Sequence, residues 1–222
     1  GGRPGALGAT ERQALLRASW AAACLGEDTV VVPLLRQALA GEMSAPRGPV
    51  LQLARQVAHH IKSRDVPGGE DVREWVAVVL DDARGERLHE TANDRHVSGA
   101  LVSMRVPHRP AGRLLGLYKV VAAFPIHDKR CLDILGAADL VSPDFTHAGR
   151  TALRLQHLAA DGWTVVTTSY QELSASIKLK RAHGAVAELV APFVPEAEVF
   201  LVGDDGGDPA PWEADDDAQT EY

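Results

Sequence analysis

The sequence is poor in cysteine and in aromatic residues, and both shortages narrow the classes of protein to which it can belong. Its two cysteines, Cys24 and Cys131, lie far apart in apolar segments, which excludes a disulfide framework and a four-cysteine metal site. We expect both to be buried, reduced core residues. Aromatic residues make up 5% of the chain, so leucine, valine and alanine must fill the core, and this composition favours helices.

Two further absences concern membranes and cofactors. No apolar run approaches the roughly 18 residues that a membrane-spanning helix needs, so we expect a soluble protein without a membrane span. The chain also lacks the Walker loop and the GxGxxG, GxSxG and HExxH motifs, which removes support for nucleotide-binding, acyl-transfer and zinc-protease functions. We predict no cofactor and no metal.

Basic residues are missing from the end of the chain. Residues 193–222 contain ten acids and no lysine or arginine. Without this stretch, the chain carries 23 basic and 20 acidic residues, so the formal charge of −7 becomes about +3 for the rest. The corrected charge neither favours nor excludes a polyanionic partner. We interpret residues 193–222 as an acidic, partly mobile extension.

The first part of the chain, residues 1–125, has the pattern of a helical region. Apolar residues recur there at the spacing that places them on one face of a helix. The predicted helices cover residues 11–25, 29–40, 70–83, 88–103 and 113–124, and a further helix begins at Pro49.

The pattern changes after Pro125. Short apolar or β-branched runs typical of strands alternate there with an amphipathic helix. The predicted strands cover residues 130–135, 138–142 and 163–168, the helices cover 149–160 and 178–191, and 199–202 is a possible edge strand. We therefore predict an α+β protein: a helical N-terminal region, a small α/β module over residues 126–192, and the acidic extension.

Several short motifs in the α/β module follow one another in a recognisable order. Asp144 and His147 precede the helix start Gly149-Arg150-Thr151, the helix carries Arg154 and Leu158, and Gly162-Trp163-Thr164-Val165-Val166 and Ser169-Tyr170-Gln171-Glu172-Leu173 follow. This order resembles the RAP domain over about residues 128–192. The resemblance implies an organellar RNA-binding or RNA-processing protein of the FAST-kinase-like group.

The RAP resemblance also implies a fold similar to the PD-(D/E)xK nucleases. Two carboxylates on neighbouring strands, here Asp133 and Asp139, would then hold Mg²⁺ beside a lysine two residues after the second. Val141 stands at that position, and without the cation, cleavage lacks its electrostatic stabilisation. We therefore predict a degenerate, non-catalytic module, in which Asp133 and Asp139 are hydrogen-bonded at a turn and at a strand end. Phe145-Thr146 replace the Gly-Pro of the family's loop.

Basic residues are concentrated between positions 105 and 130, where Asp128 is the only acid. Tyr118 and Phe124 are interleaved with them, so charge and a stacking surface for bases could coincide. The alternatives are a solvated face or a contact with an acidic protein. The residues that we predict to contact RNA are Arg105, Arg109, Arg113, Lys119, Lys129, Arg130, His147, Lys178, Lys180 and Arg181.

Three other histidines have more ordinary interpretations. Adjacent residues of a helix diverge by about 100°, so His59 and His60 cannot easily bind one ion. His157 lies among leucines of a predicted helix, which is typical of a semi-buried side chain with its hydrogen bonds satisfied. For His147, the sequence leaves open a phosphate contact or a structural hydrogen bond that holds its loop.

These expectations combine into one functional prediction with two alternatives. The first is a non-catalytic RAP-like subunit of a mitochondrial ribonucleoprotein such as the mitoribosome, located in the matrix and touching RNA backbone through its basic patches. The second is a structural accessory subunit of a respiratory or ATP synthase assembly with no RNA role. The third is a metal-dependent nuclease.

Overall fold

The computed structural model describes residues 7–40, 46–81, 90–141, 146–195 and 197. The helices among these residues are α1 (Ala9–Leu25), α2 (Asp28–Ala38), α3 (Pro49–Ser63), α4 (Arg73–Asp81), α5 (Ala92–Ser103), α6 (Gly149–Ala160), α7 (Tyr170–Lys178) and α8 (Ala182–Val190). The strands are β1 (Arg109–Leu114), β2 (Tyr118–Phe124), β3 (Arg130–Leu135), β4 (Leu140–Val141), β5 (Thr146–His147) and β6 (Thr164–Ser169). The protein is therefore a mixed α+β structure with a helical N-terminal region.

The strands form two sheets. The larger sheet has the order β1-β2-β3-β6. Strands β2 and β3 are antiparallel, with Ala123 opposite Cys131, whereas β3 and β6 are parallel, with Cys131 opposite Val165. The parallel pair requires a long connection along the chain, and that connection contains α6. Strands β4 and β5 form a small antiparallel pair with Leu140 opposite His147.

The chain divides into two compact units. Unit 1 comprises the described residues within 1–87, 114–118 and 139–161, and unit 2 comprises those within 88–113, 119–138 and 162–222. Each unit has its own apolar core.

The core of unit 1 lies among its helices. Leu35 of α2, Ala54 of α3, Trp75 of α4 and Leu153 of α6 are all fully buried there. Burial of each of the two leucines stabilises the fold by about 1.5–3 kcal/mol relative to exposure. The hydroxyl of Ser19, on α1, is also buried and donates to the Val31 carbonyl over 2.8 Å, so this polar group has its partner.

The core of unit 2 lies between its sheet and helices α5, α7 and α8. Leu101 of α5, Phe124 of β2, Leu132 of β3 and Val190 of α8 are fully buried in it. Helices α5 and α7 each begin with a reciprocal side-chain cap, formed by Thr91 with Asp94 and by Ser169 with Glu172.

Several sequence-based elements are confirmed. Strand β3 and helix α6 have the predicted bounds, and β6 begins one residue later than predicted. Among the described residues of the predicted strand over 138–142, Leu140–Val141 are extended, and residues 137–139 form a 3-10 turn instead.

One predicted helix is wrong, and another has different bounds. Residues 113–124 form the end of β1, a turn and all of β2, so strands fall inside the stretch 1–125 that was assigned to a helical region. The helix predicted over 178–191 corresponds to α8, which begins later than predicted, at Ala182, and α7 before it was not predicted. The β-branched pair Val120-Val121 and the partner strand β3 explain the first error, since strand pairing outweighs weak local preference.

Some predictions lie outside the described residues. They include the edge strand over 199–202, nearly all of the acidic extension, and Asp144 and Phe145 of the RAP-like loop. Within the described part of the chain, no helix has both the length and the apolar character needed to cross a membrane.

Candidate nucleic-acid interface

The structure collects most of the predicted RNA-contacting residues in one compact unit. His147 lies on β5 in unit 1, and the other nine belong to unit 2. Within unit 2, six of the nine are exposed to solvent: Arg105, Arg109, Lys129, Lys178, Lys180 and Arg181. Arg113, Lys119 and Arg130 are partly buried.

Four of the exposed cations follow or end α5 and α7, in two chain segments that a side-chain contact joins. Ser103 closes α5, and its hydroxyl donates to the Ala100 carbonyl over 2.8 Å and accepts from His183 Nε2 over 2.5 Å. His183 is the second residue of α8, which starts four residues after α7 ends, so this contact joins the end of α5 to the connection between α7 and α8. We call Arg105, Lys178, Lys180 and Arg181 the helix-end cluster.

Exposed apolar side chains lie beside these cations in the chain. Val102 is 65% exposed and Leu179, between Lys178 and Lys180, is 67% exposed. Isolated exposed leucines are common on soluble proteins. Two such side chains within a cationic cluster give a surface that offers both charge and apolar contact.

Two of the predicted residues are engaged inside unit 2. Lys119 forms an ion pair with Asp94, whose carboxylate also accepts the Thr91 N–H over 2.6 Å at the start of α5. The guanidinium of Arg130 lies 4.9 Å from the centre of the Phe193 ring, a cation–π contact. These two side chains therefore have structural roles.

The predicted stacking surface is wrong. Tyr118 and Phe124 are 3% and 0% exposed, so neither ring can receive a base. Phe124 packs edge-on against Phe193 at 5.3 Å between ring centroids. The error follows from the helix predicted over 113–124, because an extended strand in a sheet directs alternate residues to opposite faces and both sides of β2 are covered.

The two carboxylates of the nuclease comparison lie in different compact units. Asp133 is on β3 in unit 2 and is 4% exposed. Asp139 is in the 3-10 turn before β4 in unit 1, not on a strand. Its Oδ1 accepts from the Thr151 hydroxyl over 2.7 Å and lies 3.7 Å from the Arg150 guanidinium. Asp139 is thus hydrogen-bonded to the first turn of α6, where the helix dipole favours an anion.

Unit 1 contains a buried polar chain. Tyr118 Oη is 2.6 Å from His157 Nδ1, His157 Nε2 is 3.2 Å from His60 Nδ1, and His60 Nε2 is 2.8 Å from Asp28 Oδ1. One assignment of protons satisfies all three contacts: the phenol donates to His157, His157 donates to His60, and His60 donates to the Asp28 carboxylate. In this assignment both imidazoles are neutral.

The pKa shifts agree with that assignment. Burial lowers the pKa of His157 to about 3, and the neighbouring His59, His60 and Arg64 contribute to the same shift. Burial also raises the pKa of Tyr118 well above its ordinary value, so the phenol keeps its proton. Cys24 is half-buried, and its burial raises the pKa of the thiol to about 11.

Sequence reasoning treated these histidines one at a time. The interpretation of His157 as a buried residue with its hydrogen bonds satisfied is confirmed, since it is 1% exposed and bonded through both ring nitrogens. The chain of contacts was missed, because Asp28, His60, Tyr118 and His157 come from four separate elements. Of the two cysteines, Cys131 is buried as expected, and both are thiols that form no disulfide with each other.

Comparisons with known proteins leave the family open. No protein-family model matches the chain, and no curated protein sequence matches it significantly. Among the described residues, no three His, Cys, Asp or Glu side chains are grouped so that they could hold a metal ion.

Proposed function

We propose that the chain is a non-catalytic RAP-like subunit of a mitochondrial ribonucleoprotein, such as the mitoribosome, that binds RNA backbone in the mitochondrial matrix. The observation that carries the RNA part is that six cations of unit 2 are exposed to solvent: the four of the helix-end cluster, Arg109 and Lys129. Six exposed cations can neutralise several phosphates, which is sufficient for salt-sensitive, sequence-tolerant binding. The burial of Tyr118 and Phe124 favours backbone contact over base stacking.

The RAP-like part of the proposal is supported by motif order and by topology. The His147 element, the Gly149 helix start and the Gly162-Trp163 turn follow in the order of the resemblance, and α6 connects the parallel strands β3 and β6. The order strand–helix–strand along the chain is what the resemblance implies for the module, although α6 packs in the core of unit 1 and the two strands belong to unit 2.

The non-catalytic part is supported by the residues around Asp139. Val141 stands where a nuclease of the related fold has its lysine, and the Asp139 carboxylate is engaged by Thr151. A hydrogen-bonded carboxylate beside a helix N-terminus has a structural function of its own.

Salt-dependent retention on RNA tests the RNA part. The full chain should bind a labelled single-stranded RNA of mixed sequence, with an affinity that falls steeply as salt rises. A Lys178→Glu/Arg181→Glu variant should bind at least about tenfold more weakly, because each reversal replaces an attraction by a repulsion. Lys62→Glu, an exposed reversal on α3 in unit 1, is the control and should bind as the wild type does. Equal binding of the wild type and the double variant would contradict the proposal.

A second candidate is a structural accessory subunit of a respiratory or ATP synthase assembly, without RNA. The exposed Val102 and Leu179, together with Ile126 at 69% exposure, favour it, because apolar side chains beside cations suit a protein partner. Purification of the tagged chain from mitochondria separates the two candidates. Association with a complex that survives ribonuclease, together with no salt-sensitive RNA binding, would favour the accessory role.

A nuclease function is the third candidate, and its test is direct. Metal-dependent cleavage of RNA that is abolished by Asp133→Ala, but not by Thr167→Ala of the neighbouring strand, would establish a nuclease and exclude the non-catalytic role.

A further inference from the structure

Five described residues other than glycine have a left-handed backbone conformation. They are Arg105 (φ 56°), Leu115 (φ 58°), Asp128 (φ 50°), Lys129 (φ 50°) and Lys180 (φ 57°). A side chain with a Cβ is strained in this conformation, whereas glycine adopts it freely. Three of the five are exposed cations of unit 2.

Arg105 and Lys180 end their helices in the same way. The Arg105 N–H donates to the Val102 carbonyl and the next N–H donates to the Leu101 carbonyl, both over 2.9 Å. The Lys180 N–H donates to the Ile177 carbonyl over 2.9 Å, and the next N–H donates to the Ser176 carbonyl over 2.8 Å. Both are the Schellman motif, in which the left-handed residue is usually glycine.

The same chain uses glycine where the motif ends α1. The Gly26 N–H donates to Ala23, the next N–H donates to Ala22, and Gly26 has φ 76°. In unit 1 the left-handed position of the motif is therefore glycine. In unit 2 the same position is an arginine or a lysine, at the two helix ends near the Ser103–His183 contact.

Lys129 likewise occupies a position that favours glycine, in this case in a hairpin turn. Asp128 and Lys129 are the two central residues between His127 and Arg130, and the Arg130 N–H donates to the His127 carbonyl over 3.2 Å. Two left-handed residues make a type I′ turn, whose second position favours glycine. The turn between β1 and β2 has the same form with Leu115-Gly116, so Lys129 stands where the other turn has glycine.

Helix electrostatics explain only part of this pattern. A cation at the end of α5 or α7 is favoured by the helix dipole, but Lys129 lies between two strands. A requirement for positive charge at the surface accounts for all three positions, since strained backbone is typically retained where function needs the side chain.

We infer that Arg105, Lys129 and Lys180 are phosphate-contacting residues of the RNA-binding surface, retained as cations at three positions where glycine would be the easier residue. This inference rests on the proposed function and names the contacts within it. It assigns them to phosphates and not to bases, so the binding that they support is tolerant of sequence.

The inference predicts that affinity and stability change independently. In an Arg105→Gly/Lys129→Gly/Lys180→Gly variant, the melting temperature should equal or exceed that of the wild type, because the strain is removed. Binding to the mixed-sequence single-stranded RNA should weaken at least about tenfold. The slope of log affinity against log salt should fall by about 0.7 for each phosphate that the variant no longer neutralises, roughly 2 in all.

Two variants serve as matched controls. Asp128→Gly removes left-handed strain from the same turn without removing a cation, so it should leave RNA binding undiminished. Arg109→Ala removes one exposed cation that has no positive φ, and it should weaken binding less than Lys129→Gly does.

The possible failures can be told apart. If the wild type shows no salt-sensitive RNA binding, the proposed function fails and the inference fails with it. If the wild type binds RNA and Lys178→Glu/Arg181→Glu binds weakly, but the triple glycine variant keeps wild-type affinity and salt slope, only the inference is wrong. A drop in melting temperature of more than about 4 °C in the triple variant would show that these cations stabilise the fold, and would equally overturn it.

Discussion

At the scale of single residues, the polar chain from Tyr118 to Asp28 depends on a phenol that is almost fully buried. Tyr118 is 3% exposed, and its phenol is the donor to His157 Nδ1. Tyr118→Phe keeps the ring and removes the donor, so a buried nitrogen loses its partner. We expect a decrease of about 1–3 kcal/mol in the free energy of unfolding, measured with urea. Tyr170→Phe, at an exposed position, should change it by less than about 0.5 kcal/mol.

His157 makes the stability depend on pH. Its folded pKa of about 3 is below the ordinary 6.5, so the unfolded chain binds this proton more readily than the folded chain. The contribution to stability is complete above about pH 6.5 and is lost as the pH falls from there towards 3, at about 1.4 kcal/mol per pH unit at most. The groups that face the ring include His59, His60, Arg64 and Tyr118.

A variant separates His157 from the carboxylates that also titrate in acid. Urea unfolding of the wild type between pH 7 and pH 5 should show a declining free energy, and His157→Gln should show a smaller decline across the same range. Identical slopes for the two proteins would mean that His157 does not lose its proton affinity on folding.

At the scale of helices and strands, local sequence was informative where an element has its own pattern and clear boundaries. Helix α6 is amphipathic and starts at Gly149, and β6 is β-branched and follows Gly162, so both could be predicted. Strand β2 could not, because the apolar residues of 113–124 were compatible with a helix and the pairing with β3 selects the extended form. The basic residues of the candidate site could be selected by charge, but the burial of Tyr118 and the left-handed backbone at Lys129 depend on tertiary structure.

The start of α6 gives a prediction at this scale. Thr151 is 1% exposed and donates to the Asp139 carboxylate over 2.7 Å. Thr151→Val keeps the shape and removes the hydroxyl, which should lower the free energy of unfolding by about 1.5–3 kcal/mol, because the acceptor is charged. Thr167→Val, at an exposed position of β6, is the control and should have little effect. An unchanged stability in Thr151→Val would show that this hydrogen bond contributes nothing net.

At the scale of the whole molecule, charge is distributed unevenly along the chain. Residues 204–222 contain eight acids and no lysine or arginine, so their removal changes the formal net charge from −7 to +1. A negative stretch repels a polyanion over distances up to about a Debye length, which is roughly 8 Å at physiological salt and longer in dilute buffer. The acidic stretch should therefore oppose the RNA binding that the cations of unit 2 support.

Truncation after Gly203 tests this opposition. The shortened chain should bind the mixed-sequence RNA several-fold more tightly than the full chain at low salt, and the difference should shrink towards none at about 1 M salt, where the Debye length is near 3 Å. A full-length variant with the eight acids changed to asparagine or glutamine distinguishes charge from length, and it should match the truncated chain. If the acids only repel RNA, neutralising them must strengthen binding. Weaker binding of the neutralised variant would therefore mean that the acids support the bound state.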